Sequence, residues 1–204
     1  SALAFISTSL GVAVLIIVSS VMNGFEKELQ DRVLNVIPHA SIYGLNPIDD
    51  WENIELNLKN DTNVRGISPY IETEALIKSK SAVAGVLVNG VIASKDKSVS
   101  VIHEFMQAGN FENIQEDNNI VLGRLLARKL NVDLGDKISL MLPDTNSSFA
   151  GYFPRSKVFN VSGIFNIGSK DIDETLAYIS LENASILSGL NNQIQGFRLK
   201  FDDL

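Results

Sequence analysis

The sequence contains no cysteine, only two histidines, and 17 lysines and arginines against 24 aspartates and glutamates. The lack of cysteine excludes a disulfide framework, a thiolate zinc site and a cysteine nucleophile. A formal charge of −7 leaves no general basic face, so we expect no nucleic-acid partner. His39 and His103 offer little material for a metal site or for histidine-based catalysis. The 204 residues suffice for one or two domains with a hydrophobic core.

Charged side chains are also missing from residues 1–25. A helix over residues 1–22 spans roughly 33 Å, which is about the thickness of a bilayer core. This favours a transmembrane helix over two alternatives, a buried core helix and a signal peptide, whose basic n-region is not seen. Because the sequence starts at Ser1, we expect a part of the protein upstream. The pairs Ser7 with Gly11 and Ser20 with Gly24 are typical of close helix packing in a membrane.

A helical pattern continues beyond the uncharged run, over residues 26–37. Charged residues there separate an apolar stripe at spacings of three and four, and Pro38 ends the pattern. We predict a stalk helix that prolongs the membrane span. An ordinary surface helix is the alternative. The stripe consists of Phe25, Leu29, Val33 and Val36.

Residues 38–93 have the pattern strand, helix, strand, strand, which favours a split βαβ unit. Asp49 or Asp50 is a candidate cap for the helix. Pro69 places its strand at an edge or at an irregular start. Residues 82–93 are nearly all apolar and predict a strand buried on both faces.

Residues 94–190 predict a second, mainly β part, and residues 191–204 a strand that returns to the first part. Ser94–Ser100 is polar and is interpreted as a connection. Asp171, Asp173 and Glu174 lack calcium-loop spacing and are interpreted as a solvated acidic turn. The fold class is therefore α+β.

An aromatic-rich loop is predicted between two strands, at residues 143–154. Prolines stiffen both ends, and the segment between them is rich in loop-forming residues. Aromatic side chains are costly to leave in water, so two interpretations stay open. Either the loop folds back over the core, or it projects and docks on a partner. The residues concerned are Pro143, Phe149, Gly151, Tyr152, Phe153 and Pro154.

No catalytic motif was found, and we expect no catalytic, cofactor-binding or metal-binding residue in this chain. Gly163–Lys170 faintly resembles a phosphate-binding loop. It lacks the required order, because Ser169 precedes Lys170, and no clear helix is predicted after it.

Two segments carry a resemblance to a known family. Residues 11–29, with the string Met22-Asn-Gly-Phe-Glu-Lys-Glu-Leu29, followed by Pro38-His39, resemble the start of LolC/LolE-type permeases. These are subunits of the bacterial lipoprotein-releasing ABC transporter, within the MacB/FtsX superfamily. Residues 121–138 resemble the strand–helix–Gly-Asp segment of that superfamily. The likeness covers nearly the whole chain, in order.

The resemblance implies a fold and a set of partners. Such permeases have four transmembrane helices and a periplasmic domain, made of a βαβ "Porter" part and an inserted β-rich "Sabre" part. We therefore expect a membrane helix at 1–25, a stalk at 26–37, Porter-like parts at 38–93 and 191–204, and a Sabre-like part at 94–190. Helix packing would involve Gly11, Met22, Asn23, Gly24 and Phe25.

The implied function is non-catalytic: extraction of lipoproteins from the bacterial inner membrane and their transfer to a LolA-type periplasmic carrier. ATP and magnesium would be bound by a separate LolD-type ATPase, whose motion reaches the periplasm by mechanotransmission, and a second permease would complete a homo- or heterodimer. Residues 143–154 occupy the place of the carrier-binding "Hook", with Phe149 at the matching aromatic position. Alternatives are a MacB-like efflux permease, an FtsX-like regulator of a periplasmic hydrolase, and a membrane-anchored enzyme.

Overall fold

The computed structural model describes residues 2–34, 40–61, 63–116, 118–142 and 155–201, without the side chains at 3 and 27–34. Internal contacts divide the chain into two compact units, Ser1–Ile37 and Pro38–Leu204.

The first unit is a single helix, α1 (Ala2–Leu34). Its section Ala4–Glu26 is long and apolar enough to cross a membrane, and none of its most apolar window is buried within the protein. The predicted apolar helix is therefore present. It runs without a break through Gly24 and into the charged sequence that follows. The predicted end of the stalk, at residues 35–38, lies outside the described residues.

The second unit alternates strands with short helices. The strands are β1 (Ala40–Ile48), β2 (Val64–Lys78), β3 (Val83–Val91), β4 (Met106–Gly109), β5 (Asn119–Gly123), β6 (Lys137–Leu142), β7 (Arg155–Phe165), β8 (Leu176–Ser180) and β9 (Ile194–Phe201). The helices are α2 (Trp51–Lys59), α3 (Ala93–Asp96), α4 (Arg124–Leu130), α5 (Lys170–Thr175) and α6 (Leu181–Ser188). Two 3-10 turns, Ile102–Phe105 and Phe111–Gln115, lie between α3 and β5.

The strands form one sheet in the order β1-β9-β2-β3-β8-β5-β7-β4, and β6 pairs with both β2 and β7. Strand β6 thereby closes β2, β3, β8, β5 and β7 into a ring of six strands. The pairs β3–β8 and β5–β7 are parallel, and the other pairs are antiparallel. Strand β9 lies between β1 and β2.

The core lies on the inner face of this ring. Ile71, Ile77 and Leu122 are fully buried there, and Leu126 of α4 packs into the same cluster. Helix α6 comes so close to β3 that a Cβ atom on Gly90 would lie 2.1 Å from the Cβ of Ala184. Glycine at position 90 is thus required by the packing.

Of three local expectations, one was met and two were wrong. Pro69 lies in a strand with neighbours on both sides, but in the irregular first part of that strand, which was one of the two predicted positions. It is paired with Phe197 of β9, and the pairing with β3 begins one residue later, at Tyr70, so no hydrogen bond to β3 is lost. Strand β3 is buried on both faces only in its second half, since Val83 is 55% exposed.

The third local expectation concerned the cap of α2. Asp50 is the residue before the helix, but it has φ +49° and makes no capping hydrogen bond. Its carboxylate instead accepts a hydrogen bond of 2.7 Å from the side chain of Asn53. The mixed α/β class with an N-terminal apolar helix is confirmed. The division into Porter-like and Sabre-like parts stays a prediction.

Candidate functional site at the base of the 143–154 loop

The aromatic-rich loop connects β6 to β7. Its predicted site residues, Pro143, Phe149, Gly151, Tyr152, Phe153 and Pro154, lie outside the described residues, so their role stays a prediction. The two strands that carry the loop are described to its edges. Leu142 is paired with Arg155, which places both ends of the loop side by side.

Strand β6 is held on both sides. Met141 lies between Ser156 of β7 and Leu76 of β2, and the three residues are in register. Leu140 and Leu142 point into the core, with 0% and 7% of their surface exposed. A strand that is paired on both edges and buried on one face resists bending, so it gives the loop a firm base.

Helix α6 supports the other strand of the hairpin. Lys157 donates a hydrogen bond of 2.6 Å to the side-chain oxygen of buried Asn183. Arg155 donates to the carbonyl of Leu187, at 3.5 Å. The guanidinium packs on Gly189, where an added Cβ would lie 1.8 Å from Nη1. Arg155 thus lies at the carboxyl end of α6, where the helix dipole favours a cation, and together the two contacts fix the beginning of β7.

Replacing Lys157 by methionine should lower the free energy of unfolding by about 1 kcal/mol, because it leaves the buried Asn183 oxygen without its donor. Urea titration of the purified chain measures this. Lys129→Met is the matched control, since its partner Glu174 is on the surface and such pairs contribute little. Equal effects of the two substitutions would contradict a supporting role for α6.

The phosphate-loop-like segment 163–170 is occupied by the protein itself. A helix, α5, does follow it, contrary to expectation. However, the carboxylate of Asp173 accepts hydrogen bonds from the backbone N–H groups of Ile167 and Gly168, at 2.9 and 3.0 Å. These are the donors that a phosphate would need. Asp173 is 1% exposed, so the solvated acidic turn was also a wrong interpretation at this residue.

The part of the chain that the structure describes contains no group of three or more His, Asp or Glu side chains that could hold a metal ion. His103 lies 3.9 Å from the carboxylate of its neighbour Glu104. His39 lies outside the described residues.

The residues predicted for membrane-helix packing all lie in α1. Met22 and Phe25 are 65% and 61% exposed. A Cβ atom added to Gly11 or Gly24 would meet nothing within 4 Å. These positions, with Asn23, are open to a helix outside the described part of the chain, and their packing role stays a prediction.

Sequence reasoning missed a buried polar cluster on the other face of the sheet. Arg198 of β9 is 6% exposed and donates hydrogen bonds to Asn89 of β3, at 2.5 Å, and to Glu72 of β2, at 3.1 Å. Asp96 of α3 is completely buried nearby. Arg198 stands between Phe197 and Leu199, and only these apolar neighbours could have indicated that its side chain is buried.

Comparison with known proteins places the chain in a family. The sequence profile of the MacB-like periplasmic core domain matches residues 1–203, and the chain belongs to that family. A crystal structure of the extracellular domain of YknZ, a noncanonic ABC-type transporter from Gram-positive bacteria, has the same fold, with a TM-score of 0.52. The two share 11% sequence identity, over 81% of this chain and 75% of that one.

Within this family the chain is similar to LolC/LolE-type permeases, which confirms the resemblance. It is 36% identical over 197 residues to the lipoprotein-releasing system transmembrane protein LolC of Neisseria meningitidis serogroup B, covering 96% of this chain and 48% of that protein. It is 34% identical over 204 residues to LolE of Haemophilus influenzae, covering 97% and 49%. The chain spans about half the length of the curated relatives it matches.

Proposed function

We propose that the chain is part of a permease of a lipoprotein-releasing ABC transporter in a bacterial inner membrane. In this role α1 crosses the membrane, and most of the chain lies in the periplasm. The permease extracts lipoproteins and hands them to a LolA-type carrier, while a LolD-type subunit hydrolyses ATP. A second permease of the same type completes the transporter. The observation that carries the proposal is the 36% identity to LolC over 96% of the chain.

The hairpin of β6 and β7 supports a carrier contact at residues 143–154. A loop that captures a partner loses least free energy on docking when its base is already ordered. The base here is held by β2 on one side and by α6 on the other. The aromatic residues of the loop supply apolar groups, and a carrier of acylated proteins must expose an apolar cavity to receive its cargo.

Capture of the carrier tests the proposal. The full-length permease in detergent is passed over an immobilised LolA-type carrier from the same bacterium. We expect retention of the wild type and loss of retention when residues 143–154 are replaced by a Gly-Ser segment of equal length. A loop that serves only to dock on the carrier supports little of the core, so under the proposal the melting temperature of the variant should hardly change.

Three results would contradict the proposal in different ways. Retention of both the wild type and the loop variant would show that residues 143–154 do not form the carrier contact. If the wild type does not bind the carrier, the permease is immobilised instead and incubated with an extract of the same bacterium. Recovery of an outer-membrane pump component would then favour the MacB-like alternative, and recovery of a periplasmic hydrolase or its activator the FtsX-like alternative.

A further inference from the structure

A buried carboxyl group with no hydrogen-bond partner lies behind the sheet. Asp96 ends α3 and is 0% exposed. Its neighbours in sequence point elsewhere: Lys95 pairs with Glu55 of α2, and Lys97 with Glu112 of the turn Phe111–Gln115. Neither carboxylate oxygen of Asp96 accepts a hydrogen bond from the described residues. A charged, unpaired group in such a place is costly and calls for a physical explanation.

The cation that faces Asp96 is bound to other groups. Arg198 directs Nη2 to Asn89 and Glu72, and its guanidinium lies 4.8 Å from the centre of the Tyr70 ring. Arg198 thus links β9, β2 and β3 within the sheet and offers Asp96 electrostatic attraction without a hydrogen bond. The charge on Asp96 is therefore only partly compensated.

Asp96 belongs to a segment that covers this face of the sheet. Residues 93–116 contain α3 and the two 3-10 turns, which cover the face, and β4, which is itself a strand of the sheet and is paired with β7. Ile102, Phe111 and Ile114 of the segment are buried, and the Phe111 ring meets the Tyr178 ring of β8 edge-on, with centroids 5.3 Å apart. Apolar contacts hold most of the segment on the sheet. Asp96 adds a contribution that depends on its charge, because an ionised carboxylate disfavours the buried position.

We propose that Asp96 is a proton-sensitive latch, which holds residues 93–116 on the sheet when its carboxyl group is protonated and loosens them when it is ionised. The neutral form needs no buried cation and has an O–H group to donate. The ionised form must be solvated, and water reaches it only when the segment lifts from the sheet. The proposal is independent of the transport role, because it concerns the attachment of this segment alone.

The sign of the effect follows from the pKa. Burial raises the pKa of Asp96 from 3.8 to about 6, and Arg198 opposes that rise. An acid with a raised pKa in the closed state disfavours that state as pH rises. The closed form is therefore most stable below pH 4, loses stability between pH 4 and 6, and stays weakened above pH 6. With these two pKa values, opening becomes about tenfold more frequent between pH 5 and pH 7.

Other titratable groups near Asp96 could also produce an effect between pH 5 and pH 7, and the effect of each has to be distinguished from that of Asp96. Burial raises the pKa of Tyr178 and of Tyr70, so both stay neutral across pH 5 to 7. Hydrogen bonding to Lys97 lowers the pKa of Glu112. His103 requires a control of its own. Among the described residues, the titratable and charged groups of the segment and of the strands behind it include Arg65, Tyr70 and Glu72 of β2, Tyr178 of β8, Arg198 of β9, and Lys95, Lys97, His103, Glu104 and Glu112 of the segment.

Hydrogen exchange of the whole chain in detergent micelles tests the latch. Exchange rates of amides in residues 93–105 and 110–116, which leave out the paired strand β4, are compared at pH 5 and pH 7 for the wild type, Asp96→Asn and His103→Gln after correction for the intrinsic effect of pH. We expect a tenfold increase in the wild type and in His103→Gln. Asp96→Asn should show no increase, and at pH 7 it should exchange more slowly than the wild type.

A direct titration keeps the test decisive if Asp96→Asn does not fold. The carboxyl carbon shift of Asp96 in the wild type, followed by NMR, should have a midpoint near pH 6. A midpoint below pH 4.5 would overturn the proposal, because the closed state would then favour the ionised form. Faster exchange of Asp96→Asn than of the wild type at pH 7 would overturn it as well, since Asp96 would then be a stabilising partner of Arg198.

Discussion

Removal of residues 1–25 should convert a chain that needs detergent into a soluble protein with a single cooperative melting transition. Exposed apolar side chains are concentrated in this stretch: Leu15 and Val18, for example, are 68% and 59% exposed. The buried core cluster begins at Ile67 and contains none of the α1 side chains that the structure describes. The deletion therefore removes apolar surface without removing core, and we expect the residual unit Pro38–Leu204 to keep its fold.

A second, longer deletion is the control for this experiment. Removing residues 1–48 also takes away β1, which is paired with β9 and contributes Ala40 and Ile48 to the edge of the core. That variant should melt at a lower temperature than the variant without residues 1–25. If the shorter deletion already yields an aggregate with no cooperative transition, then the apolar segment is part of the folded core and the membrane interpretation is wrong.

Strand periodicity predicted most of the elements. The features that were not predicted depend on pairing between strands that are distant in the sequence. Alternating residues in β6, β7 and β9 were sufficient to place those strands, because one face of each is buried. The position of Pro69 inside the sheet could not be predicted, since it depends on where β3 stops pairing with β2. Closure of the ring by β6 is a long-range pairing that no local pattern encodes.

Charged residues misled the sequence reasoning in a consistent way. Asp173 stands in an acidic run and was interpreted as solvated, whereas Asp96 stands between two lysines in a segment that was interpreted only as a polar connection. In the structure the neighbours of Asp96 turn outward and only the aspartate points into the sheet. Asp173 is buried because backbone N–H groups surround it. Composition alone does not distinguish these residues from their exposed neighbours.

Truncation of one loop aromatic to alanine should weaken binding of the LolA-type carrier by roughly thirtyfold, or about 2 kcal/mol. Pro143 and Pro154 limit the freedom of the loop, so little entropy is lost when an aromatic side chain enters an apolar cavity. The anchor is sought among Phe149→Ala, Tyr152→Ala and Phe153→Ala, by titration of the carrier against the full-length permease. Under the proposal, melting temperatures of the three variants should stay close to the wild type, because a side chain that serves docking supports little core.

A matched control separates a specific anchor from general loss of aromatic surface. Tyr43 of β1 is 73% exposed and lies in a strand other than the hairpin, so Tyr43→Ala should leave carrier affinity unchanged. The alternative, in which the loop folds over the core, predicts the opposite pattern for the loop variants. Their melting temperatures would fall, and any loss of affinity would follow the loss of stability. Unchanged affinity in all three loop variants would likewise show that residues 143–154 are not the carrier contact. A defect confined to one loop aromatic, with stability retained, would identify the anchor because only a side chain seated in the partner loses binding without losing fold.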